Sequence, residues 1–147
     1  MTYRAPSCAA TVAALLIGAT SAQAHHAFAA EFDANAPVLL KGKVTKVEWI
    51  NPHAWVHIYV AATPDKPGQE WMVEGGTPNT LLRAGIDKNS LRPGVDIVVR
   101  GYQSKDHLCT PICKANGRDL TFPDGRKLFI GSSGTGAPRD GVDPNEH

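Results

Sequence analysis

From residue 39 onward, apolar residues tend to recur at every second position, the period of a strand that buries one face. The segment 54–61 shows this most clearly: Val56, Ile58 and Val60 fall on one side, and Trp55, His57 and Tyr59 on the other. Strand-like segments also read over 39–49, 70–74, 95–102, 117–122 and 127–130. Turn-forming runs separate them: Ile50-Asn51-Pro52-His53, the two-proline stretch 63–68, Leu91-Arg92-Pro93-Gly94 and Pro123-Asp124-Gly125. Gly42, near the start of the first segment, suggests a bulge or a sharp coil. The pattern predicts one helix, over 77–84. Thr77 can cap it, Pro78 suits its first position and Gly85 its stop, while Leu81 and Leu82 give it an apolar side. Residues 25–37 read as an extended lead-in, and 103–116 as a long loop.

Three meandering strands, a short helix and two more strands is the order of an OB-fold. The expected fold is therefore all-β: a small five-stranded OB-like barrel with one short helix, occupying residues 25–130. Another small barrel or sandwich with the same strand count is the rival. The expected core is Val44, Val56, Ile58, Val60, Trp71, Val73, Val95, Ile97 and Val99, with Leu81 or Leu82 of the helix closing one end. Ligands of OB-folds use the second and third strands and the loops joining strands one to two and four to five. That places Asn51, Trp55 and Tyr59 as candidate ligand-binding residues, with His53, His57, His107 and both distal cysteines nearby. The other reading packs Trp55 and Tyr59 beneath the N-terminal segment as a second small core. Glu70 and Glu74 share the outer face of the third strand and are expected to be solvated.

The chain's ends change the picture of where this domain works. Residues 1–4 carry one positive charge, Arg4; residues 5–21 carry none, and Ala22-Gln23-Ala24 is a small-x-small cleavage pattern. This is the layout of a secretory signal peptide over 1–24, too poor in strongly apolar residues for a membrane anchor. A periplasmic or secreted location is expected, with no membrane span after cleavage. Lys and Arg number 15 against 14 Asp and Glu, so no basic excess points to nucleic acid. Residues 131–147, rich in glycine and nearly free of apolar residues, read as a disordered tail.

Cysteine and histidine then supply the candidate chemistry. In an exported chain, Cys109 and Cys113 read as a disulfide closing a short loop; a metal site formed by the two thiolates with His107 is the alternative. Cleavage after Ala24 would make His25 the first residue, followed by His26. An N-terminal histidine can chelate copper through its amine and ring, and a further histidine would complete a three-nitrogen site, the histidine brace; His53, His57 and His107 are the candidates. The plainer reading of His25-His26 is an exposed terminus. No G-x-S-x-G, H-E-x-x-H or phosphate-binding glycine loop is present, which leans away from an enzyme. A module that binds a small ligand or a periplasmic protein is the leading expectation, and a copper-binding protein the alternative.

Several stretches together resemble a bacterial exported family catalogued as domain of unknown function 6152. They are His25-His26-Ala27-Phe28; Leu40 to Val44 and on through Glu48-Trp49-Ile50-Asn51-Pro52-His53-Ala54-Trp55; Leu91-Arg92-Pro93-Gly94 into Val99-Arg100-Gly101-Tyr102; and Pro123-Asp124-Gly125-Arg126-Lys127-Leu128-Phe129. The resemblance implies export and a single domain over nearly all of the chain after the leader, with no established activity. The insert at 106–114 departs from the family pattern.

Overall fold

The computed structural model describes residues 28–131. The expected leader, His25, His26 and the expected tail from residue 132 lie outside the described residues. A helical turn over 28–31 leads into strand β1, Phe32–Glu48; β2 is Trp55–Val60 and β3 Gln69–Glu74. Helix α1, Pro78–Arg83, follows, then β4 Asp96–Ser104, β5 Cys113–Thr121 and β6 Lys127–Phe129. The protein is mostly β, with six strands in one sheet. The short β6, expected over 127–130, pairs only with β5 and so stands outside the five strands of the expected barrel.

The sheet order is β3-β2-β1-β4-β5-β6, antiparallel along its length, with a further parallel pairing of β3 to β5. That last pairing joins β1, β2, β3, β5 and β4 in a continuous circuit of hydrogen-bonded neighbours. β1 is long because it serves two partners. Phe32 to Lys43 lie along β4, and Lys43 to Glu48 along β2. Where it passes from one to the other it needs a residue without a side chain: a Cβ on Gly42 would run into the Tyr59 carbonyl and stand 2.8 Å from Ile58 Cγ2. The register shifts between Val44 and Lys46, past Gly42, where a bulge or sharp coil was expected and which pairs regularly with Ile97 of β4. Residues 32–37, read from sequence as a lead-in, belong to β1: Phe32 pairs with Ser104 of β4 and Pro37 with Tyr102, with an irregularity between them.

Inside the circuit lies one apolar core built from Leu40, Val44, Val56, Ile58, Val73, Ile97, Val99 and Leu120, among others. Val60, Trp71 and Val95, expected in the core, are only partly buried against it. α1 closes onto this core with Leu81, which is 1% exposed, whereas Leu82 is 53% exposed. Its ends match the pattern: the Thr77 hydroxyl accepts from the Thr80 N–H at 3.1 Å, Pro78 opens the helix, and Gly85 follows with φ +84°. Cys109 and Cys113 are bonded to each other, so the thiolate metal site is set aside. β5 begins at Cys113, four residues earlier than expected, because Cys113 to Asn116 pair with Trp71 to Glu74 of β3.

Candidate functional site

Residues opposite each other in a ladder share a face. On the outer face of the sheet, Trp55 of β2 stands opposite Glu74 of β3, Glu74 opposite Asn116 of β5, and Asn116 opposite Tyr102 of β4. These four form a row across four strands. A second core covers its β4 end: Phe28 and Phe32 stack at 5.8 Å, and Phe28 meets Tyr102 edge-on at 5.6 Å. Lys114, also outward on β5, holds its ammonium 5.0 Å from the Trp55 ring centre and 5.8 Å from that of Phe32, and pairs with Glu31. The chain before β1 is thus pinned onto the sheet, and the cover stops short of Trp55, which stays half-buried.

The polar middle of the row is buried. Glu74 is 6% exposed and Asn116 1%. Asn116 Nδ2 donates to Glu74 Oε1 at 3.3 Å, while Asn116 Oδ1 is the one buried side-chain N or O among the described residues with no hydrogen-bond partner. An unmatched buried acceptor costs about 1–3 kcal/mol, so the arrangement is not explained by stability. Burial pushes the Glu74 carboxyl up; His53 opposes this, the Glu31 charge adds to it, and Lys114 and the Asn116 bond oppose it. His53, from the turn before β2, places Nδ1 3.7 Å from Glu74 Oε1 and 3.3 Å from the Gly75 carbonyl. His53, Glu74, Asn116 and Trp55 therefore offer a ring nitrogen, a carboxylate, an unsatisfied amide oxygen and an aromatic edge within one patch.

The other sequence candidates are distributed differently. Asn51 is exposed in the turn between β1 and β2. Tyr59 is 47% exposed, with its hydroxyl against the Gly68 backbone, so it does not join the second core and lies beyond the row. His57 does face away from Val56 and Ile58, as the alternation requires, but it is 7% exposed rather than presented to solvent. Its Nε2 lies 3.0 Å from Glu48 Oε1 and its Nδ1 3.8 Å from Glu70 Oε1. Lys46 and His57 hold the Glu48 carboxyl below its ordinary value. His107 sits on the loop after β4, 3.7 Å from Asp33 Oδ2. Each described histidine thus faces its own carboxylate, and among the described residues no three His, Cys, Asp or Glu side chains gather as a metal set. Open grooves of about 570, 540 and 450 Å³ occur elsewhere among the described residues, and His53, Glu74 and Asn116 line none of these.

Sequence reasoning missed Glu74, Asn116 and Lys114. Glu74 reads as one of two solvated carboxylates but is buried: Asn116, His53 and the Trp55 row shield it. Asn116 and Lys114 fall in what reads as a loop. The available signal was Asn116 directly before Gly117, whose missing Cβ leaves room for Val73 Cγ1 and Ile130 Cδ1 at 2.8 and 2.6 Å.

A family described as a family of unknown function, DUF6152, matches residues 13–112. The chain belongs to this family. The DUF6152 match includes His53, Trp55 and Glu74 but ends at Ile112, short of the nearly full coverage the resemblance implied. Lys114, Asn116 and the 123–129 stretch lie beyond it. No curated protein matches the chain. Among solved structures it is similar to the mitochondrial single-stranded DNA binding protein Rim1 from S. cerevisiae, with 8% identity and a TM-score of 0.44, covering 66% of this chain and 96% of that one.

Proposed function

We propose that this protein is an exported binding or accessory module built on an OB-like barrel, and that it seats a small ligand or a periplasmic partner on the outer face of β2, β3 and β5. The circuit of five paired strands, with α1 between β3 and β4, supports the OB-like reading, and β6 is an appended strand. The leader over 1–24 supports export to the periplasm or the exterior. The observation that carries the binding reading is the unsatisfied Asn116 Oδ1 beside the buried Glu74, at the edge of the patch where Trp55 and His53 remain partly open. A buried polar group without a partner marks a place where a ligand can supply one. The test is a two-dimensional NMR titration of the chain starting at His25 with a panel of amino acids, dipeptides, sugars and divalent cations. Shifts should concentrate on the Trp55 indole and the Asn116 side-chain amide. Shifts confined to the grooves away from this face, or none with any member of the panel, would overturn this placement.

A second reading is copper binding by the amine and ring of His25, with His26 beside it. It is favoured by one observation: His53 is the histidine on the patch, while His57 and His107 are engaged elsewhere. Phe28 packs on Tyr102 of the same row, and the three residues back to His25 span at most about 11 Å. Mass spectrometry of exported protein should find His25 at the N-terminus. The cleaved form should then bind Cu(II) more tightly than a form with one extra residue, because the extension removes the amine from the chelate. Equal affinity of the two forms would remove this reading.

A further inference from the structure

We propose that the uncapped end of the strand circuit is a binding site for a small organic acid, a molecule with an apolar body and one carboxylate. This site is separate from the outer face of β2, β3 and β5, and either can stand without the other.

The circuit has two ends, and α1 serves one of them. Where β2 begins and β3 stops, Leu81 of α1 comes down on the core; a Cβ on Gly75 would stand 3.8 Å from Leu81 Cδ1. At the other end, where β2 stops and β3 and β5 begin, a cavity of about 450 Å³ opens instead, and no residue of α1 lines it. Val38 of β1, Val60 of β2 and Trp71 of β3 line this mouth, with Leu40 and Cys113 as its most buried members. Val38, Val60 and Trp71 pack against the core yet stay half-buried. The incomplete burial of Val60 and Trp71 therefore has a cause: the core is left open on this side. Apolar side chains facing an unfilled space forgo contacts that a guest can supply. The volume falls within the roughly 300–1,000 Å³ of small-molecule sites, which recur in the mouths of β-barrels.

The wall on the β5 side is fixed in place. The Cys109–Cys113 disulfide lines the cavity, and Gln69 Nε2 donates to the Cys109 carbonyl at 3.1 Å and to the Glu70 carbonyl at 3.0 Å. The amide N–H groups of Gln69 are thus spent on the loop, and the indole, the valines and the sulfur are left to meet an apolar guest. Charge then selects the guest's other end. Lys66 is the only charged residue lining the cavity. It is exposed in the turn closed by the Thr63–Lys66 bridge, and no carboxylate among the described residues pairs with it, its neighbour Asp65 included. Thr63 also lines the cavity and carries a hydroxyl that can donate to an anion. An apolar cavity bearing one unpaired ammonium complements an apolar molecule bearing one negative charge. A neutral hydrocarbon leaves Lys66 unused, and a cation is repelled by it.

The probes are 4-phenylbutyrate and its uncharged amide, titrated into the chain beginning at His25 and followed by two-dimensional NMR. The acid should move the Trp71 indole resonance saturably and leave that of Trp55 in place. The amide should bind about two- to five-fold more weakly, the range that an exposed ion pair supplies. Lys66→Met, a change at an exposed turn that leaves the core untouched, should bring the acid down to the affinity of the amide without altering the amide itself. Val60→Trp should fill the mouth and abolish binding of both, with folding checked by its melting curve; should it fail to fold, Lys66→Met still decides the question. Equal affinity of acid and amide in the wild type, or undiminished binding of the acid by Lys66→Met, would overturn the choice of an anion. Silence of Trp71, or shifts centred on Trp55 instead, would overturn the site at the mouth without touching the outer-face reading. A Trp71 resonance that moves on dilution with no probe present would show a second copy of the chain seated there, and would overturn it too.

Discussion

Glu70 and Glu74 lie on the same face of β3, four positions apart, and differ in what stands opposite them. Glu70 accepts from the Thr45 hydroxyl at 3.0 Å and remains partly exposed; Glu74 is enclosed by Asn116 and His53. Its carboxyl is raised above the ordinary 4.5 by burial, so the folded chain holds that proton more tightly than the unfolded one. The resulting stability is fully present below the unfolded value and is lost as pH rises through the raised folded value. Glu74→Gln does not titrate and should escape this loss. Melting curves from pH 4 to 8 should show the variant gaining on the wild type as pH climbs. Asp119 is likewise buried, but it is ion-paired. It is 6% exposed and accepts from Arg100 Nε at 3.0 Å and from the same guanidinium's Nη2 at 2.8 Å, with Lys127 3.7 Å away. Asp119→Asn should cost roughly 3 kcal/mol in urea unfolding, since it takes the carboxylate from a partly buried guanidinium.

At the scale of elements, α1 was readable down to its cap because capping, Pro78 and Gly85 act within a few residues of chain. Which leucine it buries was not readable, because that depends on the side from which the sheet meets it. Leu81→Ala should cost about 2–5 kcal/mol, while Leu82→Ala should stay within about 0.5 kcal/mol, both read from denaturant midpoints. The loop before β5 is closed by a disulfide spanning four residues. Cys113 is 1% exposed, so replacing it also buries a new hydroxyl. Cys109→Ser, at the outer end, is the cleaner test and should cost about 2 kcal/mol, as a loop this short implies. The first parts of β1 and β5 were not legible: Asp33 to Ala36 and Lys114 to Asn116 are polar or small and carry no strand pattern. Lys114 to Asn116 are extended because β3 supplies their hydrogen-bonding partners, and Asp33 to Ala36 run between Phe32 and Pro37, which are both paired to β4.

For the whole molecule, closure of the strand circuit makes two buried regions out of one sheet. The inner core is the one the alternation announced. The outer one, Phe28, Phe32 and Tyr102, ties the chain's lead-in to β4 and keeps Glu31 and Lys114 over the row. Phe32 is 2% exposed, and Phe32→Ala should cost about 3–5 kcal/mol in the same unfolding measurement. It should also move the Trp55 indole resonance, because Lys114 bridges the two rings. A substitution that left the Trp55 signal in place would show that the lead-in and the patch are not coupled.

The sequence by itself determined the features with a short physical reach. These are the faces of β2, the helix with its start and stop, the turns, the proximity of Cys109 to Cys113, and the apolar residues that would face inward. A side chain's own chemistry and its near neighbours decide those. Tertiary structure alone decided which polar residues would be buried. Glu74 and Asn116 lie 42 residues apart, and they meet because β3 and β5 pair in parallel. His57 within β2 and His53 in the turn before it separate into a histidine held between Glu48 and Glu70 and one left beside Glu74. Burial of a charge or an amide depends on what distant strands place over it, and a strand's alternation describes only its own two faces.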